Sequence, residues 1–346
     1  MSRALQKPAN LTRLPDAIKG PRATFLLSVL LLAAMTGALF AGYAPLGVDD
    51  VLFGLVGSGD ERYVFIVQEI RLPRVLLGAM VGGSLGLAGA VIQGLLRNPL
   101  ADPSVIGVSS SAGLGAVIAI YYGFAAATSL IVPALAIVFA IAAMLVLVWL
   151  AGKDASVLTL ILAGVAISSL AAALTSLAMN LSPNPFSLND IVLWLLGSLS
   201  NRSFADIWIA GPFMAAGWAL LLLSRRDLPA LSLGEDTAAS LGVDLRKLRL
   251  RTVFGAALAV GGSVAVSGAI GFVGLVAPHL VRPLVGHDPG RLLVPSALAG
   301  ALLLVLADIG VRILPGEVEL KLGVVTALLG APFFLWLIIY TRRTMR

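Results

Sequence analysis

Apolar positions in this chain run in long unbroken blocks, not at the spacing of an amphipathic helix or a half-buried strand. Blocks at 23–43, 127–150, 205–223, 292–311 and 324–341 are each long enough to cross the roughly 30 Å of a bilayer's hydrocarbon as a helix. Hydrocarbon offers backbone groups no partner, so such blocks close their hydrogen bonds within helices. A β-barrel would alternate apolar and polar residues, and the run Ile137-Val138-Phe139-Ala140-Ile141 does not. Hydropathy and its interruptions place ten crossings, at about 23–43, 72–96, 104–122, 127–150, 156–179, 205–224, 252–270, 272–286, 292–312 and 324–341. Two of them, 104–122 and 272–286, are short and carry Gly or Pro. They read as half-helices joined to irregular backbone, which membranes tolerate only inside protein or along a water-filled path. Segment 186–200 is too short to span and reads as a helix near the outer surface. The one long polar loop between crossings is 225–251.

Composition sharpens this into an all-α polytopic membrane protein with about ten transmembrane helices. The chain is 59% hydrophobic and 12% charged, too little polar surface to dissolve a molecule of this size. Its net charge of +6 resembles a nucleic-acid signal until the charges are placed, and nucleic acid is not an expected partner. Eighteen of the 24 Lys and Arg fall in segments that the ten-crossing map puts on the cytoplasmic side. That bias orients both termini inward, in a bacterial inner membrane. It divides the chain into a tail at 1–22, a single permease domain at 23–341 and a short tail at 342–346. The polar stretch before the first block lacks the form of a cleavable signal, so that block is expected to remain as a helix. There is an internal echo. Gly82-Gly83-Ser84 and Gly261-Gly262-Ser263 are each followed at equal spacing by Gly-Ala and then Pro, on helices that run in opposite directions, as in an inverted repeat.

The residue inventory argues against an enzyme. With no Cys and only His279 and His287, a zinc site lacks ligands, and His279 after Pro278 reads as structural. No phosphate-binding loop exists, since Gly152-Lys153 lacks the upstream glycine, so nucleotide-driven work belongs to another chain. Asp308 is the main acid inside a crossing, and pairing with Arg312 one turn on accounts for it. An ion-coupled secondary carrier with inverted repeats, the alternative class, would have to use that carboxylate.

Three stretches carry more than structure. Arg71-Leu72-Pro73-Arg74 puts two arginines at the outer start of a crossing, on the side the charge bias depletes. They fit anchoring to lipid phosphate or docking of an acidic partner, and Arg312 extends the patch. Gly94 to Pro103 is a polar break whose two prolines forbid continuous helix, with Asn98 able to bond freed backbone groups. A simple turn accounts for it. In the loop 225–251, Ser232 or Gly234 caps Glu235 and Asp236, and a short helix then ends at Gly242. Such a helix suits a groove on another protein, or the lipid surface.

These stretches together resemble the permease family that imports vitamin B12, ferric siderophores and haem. The match runs from about Arg71 to Tyr340. It includes Leu162-Ala163-Gly164-Val165, Trp194-Leu195-Leu196-Gly197, Gly271 through His279, Ala307 through Arg312 and Gly330-Ala331-Pro332-Phe333-Phe334. The resemblance implies a vitamin B12 importer permease-like fold, two copies of the permease as a homodimer, two ATPase subunits beneath and a periplasmic substrate-binding protein above. It implies that this chain binds no cofactor, ATP and Mg being held by the partner ATPase. Arg71, Arg74 and Arg312 then resemble the outer arginines that receive acids of the binding protein. Leu233, Gly234, Glu235, Asp236, Thr237, Ala238, Ala239, Leu241 and Gly242 resemble the ATPase coupling loop, and Asn98, Leu100, Ser156 and Val157 the cytoplasmic gate. One departure stands out. Where the family reads Glu-Leu-Pro-Val-Gly before its last helix, this chain has Glu317-Val318-Glu319-Leu320-Lys321-Leu322-Gly323.

Overall fold

The computed structural model describes residues 20–124, 128, 130–152, 157–182, 185–314 and 319–344. Its fifteen α-helices are α1 Pro21–Phe40, α2 Val48–Leu55, α3 Glu61–Phe65, α4 Leu72–Leu95 and α5 Val108–Tyr121. They continue with α6 Ile131–Ala151, α7 Val157–Asn180, α8 Pro185–Leu195, α9 Phe204–Leu223 and α10 Leu228–Leu231. The last five are α11 Glu235–Ser240, α12 Leu245–Ser267, α13 Val273–Val281, α14 Pro289–Ile313 and α15 Leu322–Thr344. Among the described residues eight helices are long and apolar enough to cross a membrane. They coincide with the eight long predicted crossings.

The two short crossings are the broken ones. Before α5, Pro103–Ile106 forms a 3-10 turn and Gly107 turns left-handed at φ 80°, bringing its α-carbon against Gly164 of α7. Before α13 the chain leaves helix at Gly268, and Phe272 stands at φ 66°. A left-handed phenylalanine is costly, about 1–3 kcal/mol, and persists only where its surroundings hold it.

α4 and α12, the helices bearing the Gly-Gly-Ser echo, form the centre. Leu77, Val81, Ala88, Val91 and Ile92 of α4 and Ala256, Ala259 and Ala265 of α12 are fully buried. Without water between helices, close packing replaces the hydrophobic effect, and small residues permit it. A Cβ added at Gly82 would stand 2.3 Å from the Gly300 carbonyl oxygen, and one at Gly86 2.2 Å from that of Ser296. α4 and α14 therefore touch backbone to backbone. The outer helices expose their large apolar side chains instead, Phe25 on α1, Trp149 on α6 and Leu328 and Leu329 on α15, as a lipid-facing surface requires.

The helix boundaries differ most at Arg71-Leu72-Pro73-Arg74, which does not open a helix, and α12 begins at Leu245, inside the expected loop 225–251. A π-helical stretch, Ile66–Arg71, fuses α3 to α4, so helix is continuous over Glu61–Leu95. Pro73 lacks an N–H, and the wide π turn before it accommodates that loss.

Candidate functional site

The arginines of the first stretch converge, and they are buried. Arg71, Arg74 and Arg312 are 4%, 9% and 5% exposed. The last turn of α1 leaves carbonyls without helical partners at its negative dipole end. Two guanidiniums fill that need. Arg71 donates to the Leu39 and Ala44 carbonyls, both at 2.6 Å, and Arg312 to those of Ala38 and Ala41, both at 3.0 Å. Arg71 lies so close to Gly42 that an added Cβ there would stand 3.1 Å from its Nη2.

Arg74 turns the other way. Its Nε and Nη2 fork onto Asp308 of α14 at 2.9 and 2.7 Å, and Nη2 also donates to Glu319. Asp308 pairs in turn with Arg312, whose Nη2 is 3.0 Å from its Oδ2, so the i,i+4 pair read from the sequence is present but is half of a larger cluster. Three guanidiniums face two carboxylates, which leaves one positive charge uncancelled apart from the partial negative end of α1, roughly half a charge. Sequence reasoning placed Asp308 and Arg312 together. It missed Arg74 with Asp308 and with Glu319, although the added charges before the last helix were the available signal.

The second stretch sits at the far end of α4. Gly94 packs on Leu228 of α10, and Arg74 is twenty residues up the same helix, about 30 Å at 1.5 Å per residue. Leu228 and Leu231 are buried and seat the loop that follows. α11 is capped by Gly234, at φ 113°, and Gly242 closes it at φ 87°. Ala238 is buried, whereas Asp236, Thr237, Ala239, Leu241 and Gly242 are exposed. Leu233 and Leu241 are 65% and 63% exposed, flanking the small residues. Salt bridges from Arg249 to Glu235 at 2.8 Å and from Arg251 to Asp227 at 2.9 Å fix the loop to α12.

Within the second stretch itself, Arg97 turns left-handed at φ 49°, and Asn98 Oδ1 accepts from the Leu100 backbone N–H at 2.9 Å. Asn98 thus satisfies a freed backbone group, as its position in the break predicts. Leu100 reaches into a cavity of about 380 Å³ that Ser109, Ala269, Phe272 and Phe334 also line. Gln93, one turn before the break, donates to the Leu275 carbonyl at 3.4 Å and accepts from Arg282, tying α4 to α13. Of the other two predicted gate positions, Ser156 lies outside the described residues and Val157 opens α7. α7 packs on the 3-10 turn through Gly164, whose missing Cβ would stand 2.3 Å from the Val105 carbonyl oxygen. The 3-10 turn that follows the break and the middle of α7 are therefore neighbours. Among the described residues no group of His, Cys, Asp and Glu could hold a metal ion.

A profile of the FecCD transport family matches residues 29–340. This chain belongs to that family. It is 41% identical to the Fe(3+) dicitrate transport system permease protein FecD of Escherichia coli over 82% of this chain and 88% of that one. It is 36% identical to the hemin transport system permease protein HmuU of Yersinia pestis over 92% of this chain and 95% of that one. Among solved structures, an inward-facing conformation of an ABC transporter assigned to the metal-chelate type superposes with a TM-score of 0.83 at 34% identity, covering 92% of this chain and 99% of that one. As a FecCD member the chain is an all-helical, multi-pass permease subunit of a bacterial ABC importer. It is not itself the ATPase, and it works with an ATPase and a substrate-binding protein.

Proposed function

We propose that this permease carries an iron chelate from periplasm to cytoplasm, a ferric siderophore or ferric citrate before haem or cobalamin. It does so as a homodimer over two ATPase subunits that hold ATP and Mg, with both termini cytoplasmic. The observation that carries this reading is the pair of polar ends joined by α4. One end holds three arginines with a surplus positive charge, suited to acids of a binding protein; the other presents α11 with Leu233 and Leu241 exposed, suited to an apolar groove on the ATPase. They stand about 30 Å apart along α4, the thickness of hydrocarbon. Asn98, Leu100, Ser156 and Val157 make the inner gate, and Leu100 also lines the cavity with Phe272 and Phe334.

Asp308 bears on the rival class. An ion-coupled carrier needs a carboxylate free to take up and release its ion, and Asp308 is forked by Arg74 and paired with Arg312. An acid so engaged suits a lattice, not a carrier. The path is apolar and Gly-rich, holding cargo weakly enough to release it.

The test is uptake into proteoliposomes containing this chain and its ATPase, with the cognate binding protein outside. A ferric hydroxamate, ferric citrate, haem and cyanocobalamin are offered in turn, with ATP or a non-hydrolysable analogue inside. ATP-dependent accumulation of one iron chelate, lost on Arg71→Glu with Arg74→Glu, is the expected result. Accumulation driven by a proton or sodium gradient with the ATPase omitted would overturn it.

A further inference from the structure

The two carboxylates of the arginine cluster are held very differently. Asp308 is fixed in the middle of α14, its side chain 3% exposed and shared by Arg74 and Arg312. Glu319 comes from the non-helical residues before α15, and its side chain is 21% exposed. Its hydrogen bond to the cluster is from Arg74, with a further bond from Ser200. Arg74 is thus covered from outside by a carboxylate on non-helical backbone. Burial alone would raise the Glu319 pKa, but the Arg74 guanidinium and its bond hold the carboxyl below the ordinary range, so it is charged at neutral pH. An acid arriving from a partner finds Arg71 and Arg312 spent on α1 carbonyls and Arg74 already taken.

We infer that Glu319 is an internal stand-in for the binding protein's carboxylate. It occupies Arg74 in the free permease, sets how strongly the binding protein docks, and is exchanged for the incoming acid one carboxylate for one. The exchange leaves the charge of the buried cluster unchanged. This is why Glu319 can leave where Asp308 cannot: removing Asp308 would strand two buried guanidiniums together.

The exchange also has somewhere to act. Two residues after Glu319, the Lys321 carbonyl accepts from Val324 at 3.0 Å to begin α15, and Gly323 donates to the Gly197 carbonyl at 3.3 Å. Further along α15, a Cβ at Gly330 would stand 2.3 Å from that of Phe272, the left-handed residue before α13. Phe334, one turn on, lines the same 380 Å³ cavity as Phe272 and Ala269. Releasing Glu319 frees the start of the helix that closes one wall of the path. Docking outside and access to the path are thereby joined through one side chain. The inference rests on the reading that Arg74 receives a binding-protein acid.

The chain has no cysteine, so one introduced thiol reports without background. With Ala269→Cys present, the permease–ATPase complex in sealed proteoliposomes, its binding-protein face outward, is compared as wild type, Glu319→Gln, Glu319→Asp and Arg74→Glu. The readouts are the Kd for the cognate binding protein and the rate of labelling by an impermeant maleimide from the binding-protein side. Glu319→Gln is expected to dock about tenfold tighter and to label several-fold faster with no binding protein present. Glu319→Asp, which keeps the charge on a shorter arm, falls between it and wild type. A purely structural ion pair would instead give weaker docking and unchanged labelling in both variants, and that result overturns the inference. If Arg74→Glu weakens docking while Glu319→Gln behaves as wild type, the stand-in role falls and the docking reading stands. If Arg74→Glu docks as well as wild type, the docking reading falls, and this inference with it.

Discussion

The two polar ends of α4 are both suited to meet other proteins, yet they are built on opposite principles. At one end Arg71, Arg74 and Arg312 are buried and each is bonded within the chain, to α1 carbonyls or to Asp308 and Glu319. At the other, α11 stands out from α10 and α12 with Leu233 and Leu241 largely exposed. The difference separates two ways of coupling to a partner. A saturated charge cluster binds only by exchanging one contact for another, so it can carry a signal inward. An exposed, rigidly mounted helix binds by filling a groove, so it can receive a push without rearranging.

The contrast sets the order of mutational effects on stability. Asp308→Ala strands Arg74 and Arg312 and should cost about 3–5 kcal/mol, seen as a lower midpoint of thermal unfolding in detergent and poor membrane yield. Gly86→Ala forces α4 and α14 apart at a backbone contact and should cost about 1–3 kcal/mol by the same measurement. Asp244 accepts from the Lys247 N–H at 3.0 Å as the cap of α12, next to the α11 loop, and Asp244→Ala should cost about 1 kcal/mol. Leu233→Ala with Leu241→Ala should move stability by less than about 0.5 kcal/mol, because neither side chain is packed. ATP-driven uptake should nevertheless fall at least tenfold in that last variant. If unfolding midpoints instead tracked uptake across all four, the two ends would not differ in kind.

Hydropathy made the eight long crossings legible, and it marked 104–122 and 272–286 as the broken ones because Gly and Pro interrupt short apolar runs there. α2 was not legible. It carries Asp49 and Asp50 in its first turn, next to the crossing boundary, and a hydropathy window averages such a helix into the loop. Nor was the extension of helix back to Glu61, since Arg71 and Pro73 read as a helix start and a π turn has no pattern of its own. In the site, Asn98 and the Gly234–Gly242 loop behave as their local sequence says, because caps and turns are decided within a few residues. The arginine cluster differs because its partners are distant in sequence. Arg74 meets Asp308 and Glu319 more than two hundred residues away, and only packing of α4 on α14 brings them together.

Coupling between the two ends of α4 is read as ATP hydrolysis by the reconstituted permease–ATPase complex while cargo-loaded binding protein is added on the opposite side of the membrane. Hydrolysis is expected to rise with binding protein in wild type. The rise is expected to be lost both in Arg74→Glu, at one end of α4, and in Leu233→Ala with Leu241→Ala at the other, the latter with its unfolding midpoint unchanged. Hydrolysis indifferent to the binding protein in wild type, or a rise that survives both changes, would contradict that coupling.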